Sequence, residues 1–208
     1  KMRLEQSGVE YRYVFDSALA ASKFGFTAAN ASSYSNPLIV SLMGKDFQIV
    51  AIPSATSFIA LVGSVGWVEQ GSTKGLVAGD LTALVTTVYS GTQAAVKIVD
   101  KDGNTVTDLG VVGTTTKPFT YGGSTYNVKV LQTATVTVAG AGSNQAQLLF
   151  GKGDVEKTFD GGTTSTLTDW GADWKIGASG LGTDGSIPSG GYLAVTYKPD
   201  SLTDAQRY

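Results

Sequence analysis

Two carboxylates and two indoles fall together at Asp169-Trp170-Gly171-Ala172-Asp173-Trp174. Paired carboxylates beside aromatic platforms suit the cleavage or binding of sugars, because one acid protonates the leaving oxygen while the second attacks or activates water. In a Gly-rich stretch the same residue types have a plainer use: Asp closes turns and Trp covers apolar surface. Glycosidase chemistry is therefore not expected, and Trp170 and Trp174 are kept as the contact residues of a glycan-binding alternative. The chain has no His and no Cys, which removes Ser-His-Asp triads, Cys-His pairs and His-based zinc sites. No catalytic residue and no organic cofactor is expected.

Asp100, Asp102 and Asn104 stand at alternate positions, like the opening of an oxygen-ligand calcium loop. The downstream Glu of such a loop is absent, and a plain hairpin turn accounts for the same residues, so calcium is an expectation only if neighbouring carboxylates join. Gly140-Ala141-Gly142-Ser143-Asn144-Gln145 and Gly151-Lys152-Gly153-Asp154 complete no nucleotide motif and open no helix. Asn30-Ala31-Ser32 is the single Asn-x-Ser/Thr tripeptide with a non-Pro middle residue, which makes Asn30 the candidate for a glycan on a secreted chain.

Period-two alternation with β-branched and aromatic residues marks the elements that must position these groups. Val9, Tyr11, Tyr13 and Phe15 alternate with Glu10 and Arg12, so one face of a first strand is apolar. Further strands are expected at 38–42, 47–52, 57–62, 81–89, 94–100, 105–112, 126–133, 135–139, 145–150, 155–159 and 192–197. Asp102-Gly103 and Gly122-Gly123 supply hairpin turns. No helical pattern separates the strands; one turn at 17–22 and a Thr-x-x-Gln pattern at 203–206 are the only helical signals. An all-β, antiparallel sandwich follows, with a long Gly/Thr-rich surface excursion over 160–191 as a contact region. The phrases Gly44-Lys45-Asp46-Phe47-Gln48-Ile49 and Gly123-Ser124-Thr125-Tyr126-Asn127-Val128 both run Gly-x-x-aromatic-x-aliphatic. They suggest one compact unit of 208 residues that divides into lobes 1–75 and 76–208.

Charged residues make up 15% of the chain, against a usual share of about 25%, and the net charge of -2 is spread without basic clusters. Nucleic acid and anionic membranes are therefore not expected partners. No apolar run approaches the ~20 residues of a spanning helix. The opening at Lys1 without Met or an apolar leader fits a processed mature chain or an excised segment. Absence of Cys in an extracellular setting hints at a hot habitat, where chemically fragile residues are avoided.

Four stretches, Tyr11-Arg12-Tyr13-Val14-Phe15-Asp16-Ser17-Ala18-Leu19, Leu38-Ile39-Val40-Ser41-Leu42-Met43-Gly44-Lys45-Asp46-Phe47-Gln48-Ile49, Ala95-Val96-Lys97-Ile98-Val99-Asp100-Lys101-Asp102-Gly103-Asn104 and Asp154-Val155-Glu156-Lys157-Thr158-Phe159-Asp160-Gly161, resemble archaeal surface-layer proteins. Secreted β domains of that family tile the cell exterior, so the resemblance implies an extracellular, non-catalytic structural protein whose partners are copies of itself. The chain is short for the family and shows no anchor, which moves the expectation from a lattice toward a filament or tube. Val9, Tyr11, Tyr13 and Phe15 are the expected assembly interface, through strand addition to a neighbour's sheet. A glycan-binding module and a viral coat domain are the alternatives.

Overall fold

A computed structural model describes residues 9–24, 37–89, 91–138, 141–161, 165–167, 170–171 and 173–197. Among them the strands are β1 (Val9–Val14), β2 (Leu38–Leu42), β3 (Lys45–Ser54), β4 (Ser57–Leu61), β5 (Ser64–Glu69), β6 (Leu76–Ala78), β7 (Leu81–Val88), β8 (Ala94–Asp100), β9 (Thr105–Val112), β10 (Lys117–Tyr121), β11 (Ser124–Val138), β12 (Ala141–Lys152), β13 (Glu156–Asp160), β14 (Trp174–Ser179) and β15 (Tyr192–Tyr197), with a short 3₁₀ turn at Ala21–Phe24. The all-β, antiparallel expectation is met. No helix among the described residues is long and apolar enough to cross a membrane.

The chain divides into two compact units, one from Lys1–Ala60 with Glu156–Tyr208 and one from Leu61–Val155. The division differs from the expected lobes 1–75 and 76–208, because the first unit is assembled from two separated stretches. The contiguous unit is a sandwich of two four-stranded sheets, ordered β10-β11-β12-β5 and β6-β7-β8-β9, with antiparallel neighbours throughout. Alternation fills its core: Leu81, Ala83 and Val85 of β7 and Ala94, Val96 and Ile98 of β8 share one cluster with Val68, Val128, Val130, Ala146, Leu148 and Phe150 of the other sheet. Each large apolar side chain buried there contributes about 1.5–3 kcal/mol.

The discontinuous unit holds the sheets β1-β15-β14 and β13-β4-β3-β2. Phe47, Phe58 and Phe159 are fully buried. The Phe159 ring stacks on Phe58 at 5.0 Å and meets Phe47 edge-on at 5.6 Å. The echoed phrases occupy matching places in the two units: each begins at a two-residue turn and enters a long strand, β2 to β3 through Met43-Gly44 and β10 to β11 through Gly122-Gly123. All four turn residues have positive φ, 50° and 78° in the first turn and 56° and 76° in the second, the geometry that matches the twist of a tight hairpin. Met43 adopts it without the freedom Gly122 has, at a cost of roughly 1 kcal/mol.

Four strands run where the sequence signals are weak. β5 and β14 each contain a Gly, β6 has three residues, and β10 contains Pro118, tolerated because β10 is an edge strand. β14 corrects the expected excursion over 160–191: Trp174–Ser179 pairs along its length with β15. The two strands expected at 126–133 and 135–139 are one strand, β11, whose register shifts between Val130 and Gln132 and so interrupts the alternation.

Candidate assembly interface

β1 pairs with β15 from Val9↔Tyr197 to Val14↔Tyr192, and β15 pairs on its other side with β14. Residues in register project to the same face. Tyr11 therefore lies in line with Val195 and Ile176, and Tyr13 with Leu193 and Ala178. Those four partners are buried, yet Tyr11 is 62% and Tyr13 43% exposed. The buried face of this sheet continues onto β1 as two uncovered tyrosines. Phe15, the next residue of the same parity, is buried and meets the Tyr13 ring edge-on at 5.1 Å. Of the four residues expected to form one apolar contact face, then, Tyr11 and Tyr13 present themselves, Phe15 anchors the strand to its own unit, and the side chain of Val9 lies outside the described residues.

The opposite face carries Glu10, Arg12 and Val14, of which Val14 is 48% exposed. Arg12 Nε donates to Glu10 Oε1, and its guanidinium sits 4.4 Å from the centre of the Tyr192 ring on β15, a cation–π contact. The two charges of β1 are thus held against each other and over their own sheet. A shallow groove of about 150 Å³ runs along this face past Glu10, Tyr192, Ala194 and Gly177.

Backbone direction completes the geometry. The Phe15 N–H donates to the Gly191 carbonyl at 2.9 Å, and backbone groups alternate sides along a strand. Tyr11 and Tyr13 therefore turn their N–H and C=O toward β15, while Glu10, Arg12 and Val14 turn theirs to the far side, where none of the described strands pairs with β1.

Trp170 and Trp174 are half-buried and in contact with other rings. Their rings meet edge-to-face at 6.5 Å, Trp170 lies 6.0 Å from Phe47 at 68°, and Trp174 lies 5.0 Å from Tyr197. Each ring keeps part of its surface open to solvent, and the contacts among Phe47, Trp170, Trp174 and Tyr197 form one aromatic chain. Asp169 and Asn30 lie outside the described residues.

Asp100, Asp102 and Asn104 form the β8–β9 turn. Asp100 Oδ1 accepts the N–H groups of Asp102 at 2.9 Å and Asn104 at 2.8 Å, and Oδ2 accepts the Asn104 amide at 3.2 Å. Lys101 Nζ donates to both carboxylate oxygens of Asp102. The turn is closed by its own residues, and among the described residues no three His, Cys, Asp or Glu side chains gather as a ligand group. The Asn104 N–H above all, then its side chain and the Asp102 N–H, hold the Asp100 carboxyl below its ordinary 3.8. A depressed folded-state pKa gives stability that is present above the unfolded value and lost as pH falls through the folded one. Stability is therefore expected to decline below about pH 3.8, and Asp100→Asn, which keeps an oxygen acceptor but cannot ionise, is expected to flatten that part of a plot of denaturation midpoint against pH. An unchanged slope would remove Asp100 from the acid response.

No family model matches the chain, and no curated protein matches it in sequence. Arg12 and Val14, with Glu10, carry the outward backbone groups of the candidate edge, which side-chain alternation alone overlooked. Their signal is that the even-numbered residues of β1 turn their backbone groups outward, which becomes visible only once the pairing with β15 is known.

Proposed function

We propose that this chain is a non-catalytic structural subunit that assembles with copies of itself outside the cell, as a filament, tube or surface layer, by strand addition at β1. One observation carries this reading: β1 is an edge strand of six residues with an outward row of backbone donors and acceptors and two exposed tyrosines beside it. Sheet edges are normally blunted by Lys, Pro, shortness or charge. Three of the four edge strands of the contiguous unit do this: Lys117 Nζ donates to the carbonyls of Leu109 and Val111 along β9, Pro118 sits in β10, and β6 has three residues. In the other unit, β13 carries Glu156, Lys157 and Asp160, and β2 is shorter and follows Pro37. The two charges of β1, Glu10 and Arg12, are paired with each other, and the strand has no Pro, no Lys and no shift in register. The low charge of the chain and its resemblance to surface-layer proteins support the extracellular setting.

Proline distinguishes the two sides of the strand. Arg12→Pro removes an outward N–H and leaves the ladder to β15 intact, so it is expected to give folded protein that stays monomeric in sedimentation and shows no particles by electron microscopy. Arg12→Ala, which loses the same side chain but keeps the N–H, is expected to assemble. Tyr13→Pro breaks the internal ladder and is expected to lower the denaturation midpoint instead. Wild-type assembly by Arg12→Pro would sink strand addition at β1.

A further inference from the structure

The hairpin of β11 and β12 outruns the sandwich that it belongs to. Its last core residue is Ala146, fully buried and paired with Thr133. Beyond that pair the two strands continue together through Ala134↔Gln145, Thr135↔Asn144, Val136↔Ser143, Thr137↔Gly142 and Val138↔Ala141. On one side β10 has already ended, pairing with β11 only as far as Val128. On the other, β5 stops at Gln145, with one further bond from the Gln70 N–H to the Asn144 carbonyl. At about 3.4 Å per residue the five extra pairs carry a two-stranded arm roughly 17 Å past the core. At its root Thr133 Oγ1 donates to the Gly91 carbonyl of the facing sheet's loop, and Thr135 Oγ1 donates to Asn144 Oδ1 at 2.8 Å. Thr135 and Val136 are exposed.

A two-stranded ribbon is marginally stable alone in water, and exposed ribbons are usually protected by charge. This one is not: from Val130 to Gly151 the sequence contains no Asp, Glu, Lys or Arg, in a chain that is 15% charged. An arm without charge, built on alternating Thr and Val, suits a partner that offers main-chain groups and apolar surface. The same chain presents such a partner. The outward edge of β1 is six residues long, Val9–Val14, its two charges are paired to each other, and Tyr11 and Tyr13 stand uncovered beside it. The outer edge of β11 along the arm, Thr133–Val138, is also six residues long.

We propose that the arm edge Thr133–Val138 of one copy pairs with the free edge of β1 in the next copy, so that each subunit contributes two unlike contact elements and the assembly is head-to-tail. The proposal rests on the assembly reading above and supplies its acceptor. Unlike contacts propagate into rings or open filaments, whereas a contact between two identical patches stops at a dimer.

Mixing experiments separate the possibilities. The β1 variant is Arg12→Pro, whose arm is intact; the arm variant is Thr135→Lys with Val136→Lys, whose β1 is intact. Each alone is expected to be monomeric by sedimentation velocity, and an equal mixture is expected to give a one-to-one dimer that grows no further. An arm variant that polymerises like the wild type overturns the role of the arm and leaves assembly at β1 standing. Polymerisation of Arg12→Pro alone overturns the underlying reading itself. Dimers of Arg12→Pro alone mean arm-to-arm pairing, and a mixture that stays monomeric means the arm binds elsewhere; both overturn the proposed pairing. Circular dichroism establishes that each variant is folded, and should the double change prevent folding, Val136→Lys alone is tested in the same mixture with the same outcomes.

Discussion

Phe159→Ala is expected to destabilise the protein by about 3–5 kcal/mol, the range for truncating a fully buried aromatic ring. Phe159 has no exposed surface and lies between Phe58 and Phe47 at 5.0 and 5.6 Å. Truncation removes both ring contacts, each of which adds about 0.5–1.5 kcal/mol beyond burial, and it leaves a cavity walled by rigid rings that cannot collapse to fill it. Phe159→Leu keeps most of the volume and is expected to cost about 1.5 kcal/mol or somewhat more. Denaturant midpoints of the two variants and the parent measure both effects. A loss of under about 1 kcal/mol for the Ala variant would mean that the three rings do not form the packed centre of their unit.

The second large effect is expected at Gly161, where space rather than backbone conformation is limiting. A Cβ added there would stand 2.5 Å from the Ala178 carbonyl oxygen and 3.1 Å from that of Thr56, and neither atom belongs to a flexible side chain. The Gly161 N–H also donates to the Thr56 carbonyl at 2.8 Å, so the residue cannot back away without giving up that bond. Gly161→Ala is expected to cost about 3 kcal/mol, at the upper end of overpacking changes, by forcing apart the chain at the end of β13 and the strand β14. Gly113→Ala supplies the contrast. Its nearest atom would be 3.7 Å away, an ordinary contact, and the change is expected to stay within about 0.5 kcal/mol of the parent. Equal midpoints for the two variants would show that the Gly161 contact is looser than described.

Much of the fold could be read along the chain because many strands bury one face and expose the other. β8 and β9 run where alternation placed them, at Ala94–Asp100 and Thr105–Val112, and β2 and β15 likewise. The failures have separate physical causes. In β11 an extra residue near Leu131 reverses the parity of the strand, so Val130 and Leu131 are both buried and the alternation looks like two strands. In β10, Pro118 reads as a breaker until the neighbouring strand is known to lie on one side only. β14 has weak strand propensity, with Gly177 and Ser179 in its length, and is held in place by the ladder to β15. The ladder that joins distant stretches is the one from β1 to β15, which no local pattern matches, and it is why the discontinuous unit was not foreseen.

The candidate interface was legible in part. Alternation picked out Tyr11 and Tyr13 as aromatic neighbours on one face, but their exposure depends on where the covering layer stops, a property of the packed unit. Trp170 and Trp174 show the converse: residue type suggested a sugar platform, whereas their contacts with Phe47, each other and Tyr197 depend on tertiary packing that no local pattern announces. Asp100, Asp102 and Asn104 were ambiguous between ligand and turn because the two uses ask for the same oxygen atoms.

The pairing of β1 with β15 joins Val9 to Tyr197, the two ends of the described chain. Contacts between residues so far apart in sequence form late, because a long loop must be closed before they repay its entropy. The hairpins of β7, β8 and β9 close over short distances, and the whole of Leu61–Val155 is one uninterrupted stretch. A ribosome therefore delivers everything that the second unit needs before it delivers the strand that β1 waits for. During that interval both edges of β1 are open, and its tyrosines have neither a sheet nor a neighbour. The nascent chain is at its stickiest when it is least finished, so the element proposed to join subunits also exposes the polypeptide to premature association, and the time between synthesis of β1 and of β15 becomes a determinant of yield.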